Sequence, residues 1–226
     1  MTTAERLLSP AYGGYTYHRY VEGQAEIAVV MGRRSKTDAE ETRERLIAAA
    51  KQRFTHDGYA ATSINDICQD LEITKGALFH HFKSKQDLFT EIWTRLQVEM
   101  DQEARTAAIA ARSLTDPYSA FLAGCRVYLE HAARRDYQTI VLVDGPSVLG
   151  LQGWYEQDHD LGIDNVRAGV RYLAKKGIVE PQRVDALAIM LQNALNGAGF
   201  ALAREVEGIT ADGVYDAFET LVKSLR

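Results

Sequence analysis

The stretch from Ser63 to His81 holds the residues whose types and spacing carry the most chemistry. Ser63 and Asp66 are placed to open a short helix as a capping box. In such a box the hydroxyl accepts a free backbone N–H and the carboxylate reaches back to the cap. Ile64, Ile67, Cys68 and Leu71 give that helix an apolar face, a turn follows at Leu71-Glu72-Ile73, and Thr74 caps a second short helix through Leu78 and Phe82. Two short helices joined in this way have helix-turn-helix spacing, which sets the N-terminus of the second at a DNA major groove. The chemistry is recognition rather than bond-making. Lys75 offers charge and donors, Gly76 and Ala77 let a backbone come close, and Thr62 and Ser63 bring hydroxyls and free N–H groups to a phosphate.

Catalytic patterns fail on inspection. Gly145-Pro146-Ser147-Val148-Leu149-Gly150 has Leu149 where a nucleophile elbow needs Gly, and no strand precedes it. Glu156, Asp158 and Asp160 suggest a calcium loop, but Leu161 stands where that loop requires Gly and Arg167 where it requires the bidentate Glu. His80 and His81 point about 100° apart on a helix, which makes them poor joint metal ligands. No Gly-rich phosphate loop occurs, so neither an enzyme nor a metal or cofactor site is expected. Cys68 and Cys125 lack Cys-x-x-Cys spacing and read as buried free thiols in a reducing cytoplasm. No membrane partner is expected, because unbroken apolar runs such as Ile27 to Met31 are far short of the roughly 20 residues a span needs.

The elements that must hold this constellation are helical. Of the 226 residues, 46% are hydrophobic and 25% charged, an ordinary soluble balance. Thr37 with Glu40 predicts a helix start, continued through Leu46, Ile47, Ala50 and Phe54 to a stop at Asp57-Gly58. Ser84 with Asp87 opens a long helix bearing Leu88, Phe89, Ile92, Trp93 and Leu96. Asp116-Pro117 predicts another start. Ile140-Val141-Leu142-Val143 has strand composition but no partner strand anywhere, so it reads as helix, interrupted at Gly145-Pro146. Further helices carry Ile163, Val166, Val170 and Leu173, then Val184 to Leu202 from a start at Pro181, and a last one capped by Thr210. The expected fold is all-α, with about nine helices. Residues 1–30 differ: Tyr12, Tyr15, Tyr17 and Tyr20 surround Gly13 and Gly14. A mobile tail, an upstream start ahead of Met31 and an ordered arm all remain open for them.

The runs Thr42-Arg43-Glu44-Arg45-Leu46-Ile47, Phe54-x-x-x-Gly58-Tyr59-x-x-Thr62-Ser63-Ile64-x-x-Ile67 and Thr74-Lys75-Gly76-Ala77-Leu78-Phe79-His80-His81-Phe82-Lys83-Ser84-Lys85 resemble the DNA-binding module of the tetracycline-repressor (TetR) family. The resemblance covers roughly residues 40–90. It implies an all-helical homodimer in which three N-terminal helices bind double-stranded operator DNA, and a fourth leads to a larger domain that binds a small molecule and dimerises. It assigns Thr62 and Lys85 to phosphates, and Lys75, Gly76 and Ala77 to the base-reading end, followed by Phe79 and His80; Asn65 could reach a base edge. Ala77 and Phe79 stand where the family often has a hydroxyl residue and Tyr. Glu72 replaces the usual turn Gly, which predicts a non-glycine residue near positive φ.

The resemblance divides the chain into a mobile extension (1–36), a DNA-binding domain (37–84) and a ligand-binding and dimerisation domain (85–226). The formal net charge of −5 divides unevenly: residues 31–90 are at +1 and residues 91–226 at −5. Arg33, Arg34 and Lys36 could form a minor-groove arm or simply a solubilising helix entry. Leu191, Leu195, Ala198 and Leu202, with Phe218 and Leu221, are the expected dimer interface, and Gly197 and Gly199 suggest a tight neighbour. Phe121, Tyr128, His131, Asp144, Trp154 and Tyr155 are candidate lining for a hydrophobic or planar ligand. The expected function is a ligand-responsive repressor on a palindromic operator. The alternative is a DNA-binding architectural or protein-interaction module without a ligand.

Overall fold

The computed structural model describes residues 22–150 and 162–225, with side chains from Thr37 onward. Its elements are α1 (Glu22–Ala61), α2 (Ile64–Asp70), α3 (Lys75–His81), α4 (Lys85–Ala110), α5 (Ser119–Ala132), a π-helical segment (Tyr137–Asp144), α6 (Gly145–Leu149), α7 (Asp164–Lys175), a 3-10 turn (Pro181–Arg183), α8 (Val184–Ala203) and α9 (Ala211–Lys223). Among the described residues there is no strand, as expected from the unbroken helical periodicity. Two compact units divide at Thr42 and Arg43. In the first, residues 22–42 are helical, and the Thr42 hydroxyl donates to the Asp38 carbonyl at 2.8 Å.

In the second unit, residues 43–226, α4 is the central column. Its Leu88, Phe89, Ile92, Trp93 and Leu96 are almost wholly buried. It packs along α5, which in turn meets α8 and α9, while α7 lies on α8. Phe54, Tyr59 and Phe89 meet as a ring cluster with centroids 5.0–5.7 Å apart. Full burial of one such side chain contributes about 1.5–3 kcal/mol, so this cluster ties the end of α1 to the start of α4. Cys68 and Cys125 are free and buried, and burial pushes both thiols up from their ordinary value.

Several local expectations hold. Ser63 and Asp66 form the reciprocal capping box, and Thr74 and Thr210 cap α3 and α9. Gly58 leaves helical geometry at φ 78°, where the stop was expected, and Glu72 adopts φ 55°. Five others change. The helix holding Thr37 begins upstream at Glu22, so Thr37 does not open it, and Arg33, Arg34 and Lys36 lie on helical backbone rather than an irregular arm. Ser84 Oγ accepts the Asp87 N–H, but Asp87 reaches back to Lys83 N–H (2.9 Å), one residue before the cap. Asp116 does not begin α5. Its carboxylate accepts the Tyr118 N–H (2.9 Å), and the helix starts at Ser119.

The fourth change concerns residues 140–143, which are helical but π rather than α, and Gly145-Pro146 does not interrupt them. Pro146 has no N–H to donate, so the π ladder ends there and α geometry takes over with Pro146 in its first turn. The fifth is that Pro181–Ala203 is long and apolar enough to cross a membrane by length and composition. A search for unbroken apolar runs misses it. In the fold only one side of it is buried, at Leu191, Leu195 and Leu202, while Ile189 and Met190 are exposed.

Glu72 generates the first prediction. Its side chain is exposed, and a left-handed backbone disfavours any residue with a Cβ. Glu72→Gly should raise stability by about 0.5–1 kcal/mol, after the greater freedom of glycine in the unfolded chain is subtracted. Thermal unfolding should show a rise of roughly 2 °C; a fall would mean that the turn is not held in this conformation.

Candidate nucleic-acid interface and ligand cavity

The helix-turn-helix is held from both sides. Arg53 of α1 grips Asp70 at the end of α2 with two bonds of 2.7 Å, Nε to Oδ2 and Nη2 to Oδ1. That pairing holds the Asp70 carboxyl below its ordinary value. Arg43 lies over the Phe82 ring at 5.1 Å, which anchors the far end of α3. The turn closes through Glu72 N–H to Gln69 O (3.2 Å) and Ile73 N–H to Cys68 O (3.0 Å). With Leu78 and Phe82 pointing inward, α3 presents Lys75, Gly76, Phe79 and His80 to solvent as one stripe; Ala77 is half-buried. Asn65 on α2 and Thr74 are exposed too, and the Ser63 hydroxyl is engaged as the cap of α2.

Two residues expected at phosphates are turned inward. Thr62 is 2% exposed and its hydroxyl donates to Gly58 O at 2.8 Å. Lys85 Nζ donates to Tyr59 O (2.7 Å) and Thr62 O (2.9 Å) and sits 4.0 Å from the Tyr59 ring centroid. The Gly58 carbonyl also accepts the Thr62 N–H at 3.2 Å, so the Thr62 hydroxyl adds a second donor there, while Lys85 supplies donors to the Tyr59 and Thr62 carbonyls at the end of α1.

Behind the module, α4, the turn after it, α5, α7 and α8 line a half-open cavity of 820 Å³. Met100, Phe121 and Leu195 give it apolar walls, and Gln97, Tyr128 and Gln192 give it polar ones. Tyr128 Oη donates to Asn196 Oδ1 (3.1 Å), which also accepts from Gln192 Nε2 (3.0 Å), and Tyr137 Oη donates to Gln97 Oε1. Phe121 lies against Gly169, where a Cβ would stand 2.2 Å from the ring.

Phe121 and Tyr128 therefore line the cavity, and two other candidates do not. His131 is buried outside the lining, with Nε2 2.8 Å from Glu103 Oε2. Its ligand atom and those of Glu99 and Glu103 lie within 4.8 Å of one another, a grouping able to hold a metal. Arg134 already supplies the cation there: its Nη1 donates to Glu99 Oε1 at 3.0 Å and lies 3.4 Å from His131 Nδ1. Asp144 faces the DNA-binding module instead of the cavity, and its Oδ2 accepts the Tyr59 N–H at 2.7 Å. Trp154 and Tyr155 lie outside the described residues.

The expected dimer face is also corrected. Leu191, Leu195, Leu202 and Phe218 are buried within the protomer and Ala198 is half-buried; of the six residues only Leu221 is exposed. A Cβ on Gly199 would stand 2.8 Å from Tyr128 Oη, so its close neighbour belongs to the same subunit, whereas Gly197 faces open space. The outward side of α8 carries Ala186, Ile189, Met190, Asn193, Ala194 and Gly197.

The family description "Bacterial regulatory proteins, tetR family" matches residues 46–92, and "Tetracyclin repressor-like, C-terminal domain" matches residues 118–225. A TetR-family transcriptional regulator of known structure from Pectobacterium atrosepticum is 30% identical, with a TM-score of 0.68 over 84% of this chain and 96% of that one. The chain belongs to the TetR family of transcriptional regulators. The HTH-type transcriptional regulator AcrR of Shigella flexneri is 41% identical over 63 residues, 28% of this chain and 29% of that protein. The Transposon Tn10 TetC protein of Escherichia coli is 28% identical over 156 residues, 69% of this chain and 75% of that protein. The chain thus spans less than a third of the first of these relatives and three quarters of the second. The matched family and the AcrR relative are regulators of transcription, not enzymes.

Sequence reasoning missed the polar ties between this regulator's α1 and its π segment. Asp136 caps the π segment through Tyr137 N–H (2.8 Å) and pairs with Lys51 of α1 (2.8 Å) and Arg134 (3.0 Å). Gln97, Gln192 and Asn196 were also passed over. The available signal was their place among core positions: Gln97 beside Leu96, and Gln192 and Asn196 one turn apart, each following a buried Leu.

Burial opposes ionisation of Asp136, but the bonds from Arg134 and Lys51 outweigh it and draw its carboxyl from 3.8 down to about 2. A depressed carboxyl stabilises the fold above its unfolded value, and that contribution fades as pH falls through the folded value. Asp136→Asn keeps the capping acceptor and removes the charge. It should cost about 1–2 kcal/mol at pH 7, the lower end where water screens the pairs. In urea unfolding the gap from wild type should close as pH falls from 4 toward 2. A gap constant over that window would assign the effect to packing.

Proposed function

We propose that this TetR-family regulator binds a palindromic operator as a homodimer, represses transcription, and releases DNA when a small molecule enters the cavity. The observation that carries the reading is the outward stripe of α3, Lys75, Gly76, Phe79 and His80, on a helix capped at Thr74 and anchored by Arg43 and Arg53. In the proposed division residues 37–84 read DNA and residues 85–226 bind the ligand and the partner subunit. Two recognition helices would enter successive major grooves about 34 Å apart. Asn65, Ser63 and Thr74 join the contact set. Thr62 and Lys85 serve by fixing the end of α1 and not by touching phosphate themselves.

The cavity supports ligand response over a ligand-free interaction module, since 820 Å³ suits a drug-sized molecule. The π segment supplies the coupling. Tyr137 meets the cavity residue Gln97, and Asp144 holds the Tyr59 N–H at the entry to the helix-turn-helix. A ligand that binds better when this segment moves shifts the regulator toward the released state. The outward side of α8, with Ile189 46% and Met190 67% exposed, together with Leu221 of α9, supports a four-helix dimer interface.

A gel shift with DNA from upstream of the regulator's own gene tests the first step. Lys75→Ala should weaken binding by about 5–150-fold, with the dimer intact by gel filtration. Unchanged affinity would put the recognition helix elsewhere, and no binding by the wild type at low salt would sink the reading. For the interface, Met190→Asp should give a folded monomer that no longer shifts DNA at matched concentration. A dimer of unchanged size would move the interface off this face.

A further inference from the structure

The cavity has a charge opposite to that of the domain around it. Residues 91–226 carry a net −5, yet among the described residues Arg105, Arg112, Arg171 and Lys175 line the cavity against a single carboxylate, Asp116. Arg105 is neutralised by Asp101 (Nε to Oδ2, 2.9 Å), and Asp116 is occupied by the Tyr118 N–H (2.9 Å). Arg112, Arg171 and Lys175 have no acidic partner among the described residues. The imbalance on α7 is pointed: Arg167 holds both Asp164 (2.5 Å) and Asp185 (3.0 Å), while Arg171 and Lys175, one turn apart, hold neither. Arg112, Arg171 and Lys175 are all exposed, so water screens the repulsion between Arg171 and Lys175, and an anion bound between them would relieve what remains. The C-terminal end of α7 accounts for a cation at Lys175, but not for Arg112 arriving from a different element. The same cavity has apolar walls at Met100, Phe121 and Leu195, away from water.

We propose that the cavity takes an amphipathic organic anion. Its carboxylate sits among Arg112, Arg171 and Lys175, and its apolar body lies along Met100, Phe121 and Leu195. Gln97 and Gln192 offer hydrogen bonds to any polar group at the far end of that body. The inference deepens the ligand-response reading and depends on it only for the effect on DNA, because binding is measured without DNA.

Calorimetric titration of the full chain with decanoate, 1-decanol and decyltrimethylammonium separates the charges on one apolar body. Decanoate should bind one per protomer, about tenfold tighter than the alcohol, and should weaken as salt rises from about 50 to 500 mM. The variant combining Arg112→Gln, Arg171→Gln and Lys175→Gln should bind decanoate no better than decanol, while its decanol affinity stays at the wild-type level, which also reports that it is folded. No decanoate binding, a cation or alcohol bound as tightly as decanoate, or a variant that keeps the decanoate preference would each overturn the proposal. A gel shift with and without decanoate keeps the two readings apart. Failure of the wild type to bind operator strikes the regulator mechanism and leaves the titration standing, whereas intact operator binding beside failed titration strikes only the ligand class.

Discussion

The end of α1 breaks at Gly58, and every backbone group stranded by that break must find a partner in the interior of a helical protein. Unpaired buried carbonyls and N–H groups cost about 1–3 kcal/mol each. The partners come from three places. Thr62 satisfies the Gly58 carbonyl, Lys85 of α4 satisfies Tyr59 and Thr62, and Asp144 of the π segment takes the Tyr59 N–H. The pose of the helix-turn-helix is therefore set by a lysine from one neighbouring element and a carboxylate from another. Neither can move without uncovering a backbone group at the point where the helix-turn-helix begins.

The cavity is built from the opposite compromise. Buried amides and phenols in a helical core are costly unless joined, and here they join one another: Tyr137 to Gln97, Tyr128 and Gln192 to Asn196. Because Tyr137 and Asp144 stand at the first and last positions of one eight-residue π segment, the partner of the cavity residue Gln97 and the partner of the Tyr59 N–H belong to a single piece of chain. A π segment stores a register different from the α geometry on either side, and such segments recur at functional sites.

Local rules explain why much of this was legible in advance. Capping at Ser63, Thr74 and Thr210, the stop at Gly58, positive φ at Glu72 and the helical character throughout depend on residues within a turn of one another. The outward stripe on α3 was legible for the same reason, since helical spacing alone puts Lys75, Gly76, Phe79 and His80 opposite Leu78 and Phe82. Helix boundaries were harder. Asp116 competes for the Tyr118 N–H and delays α5 by two residues, and Pro146 changes the helix type without ending it.

What the amino-acid order determines by itself is the all-helical plan and the place of the helix-turn-helix, because both follow from periodicity, caps and turn residues at short range. The destination of each long or polar side chain was decided only in three dimensions. Lys85 and Thr62 turned inward, Asp144 met α1 instead of a ligand, and Leu191, Leu195 and Leu202 faced the protomer core while Ile189 and Met190 faced out. A helix with apolar residues on more than one side does not say which side packs inward. The cations that line the cavity with no acidic partner among the described residues arise in the same way, from elements distant in sequence that reach one cavity through the packing of α4, α5 and α7.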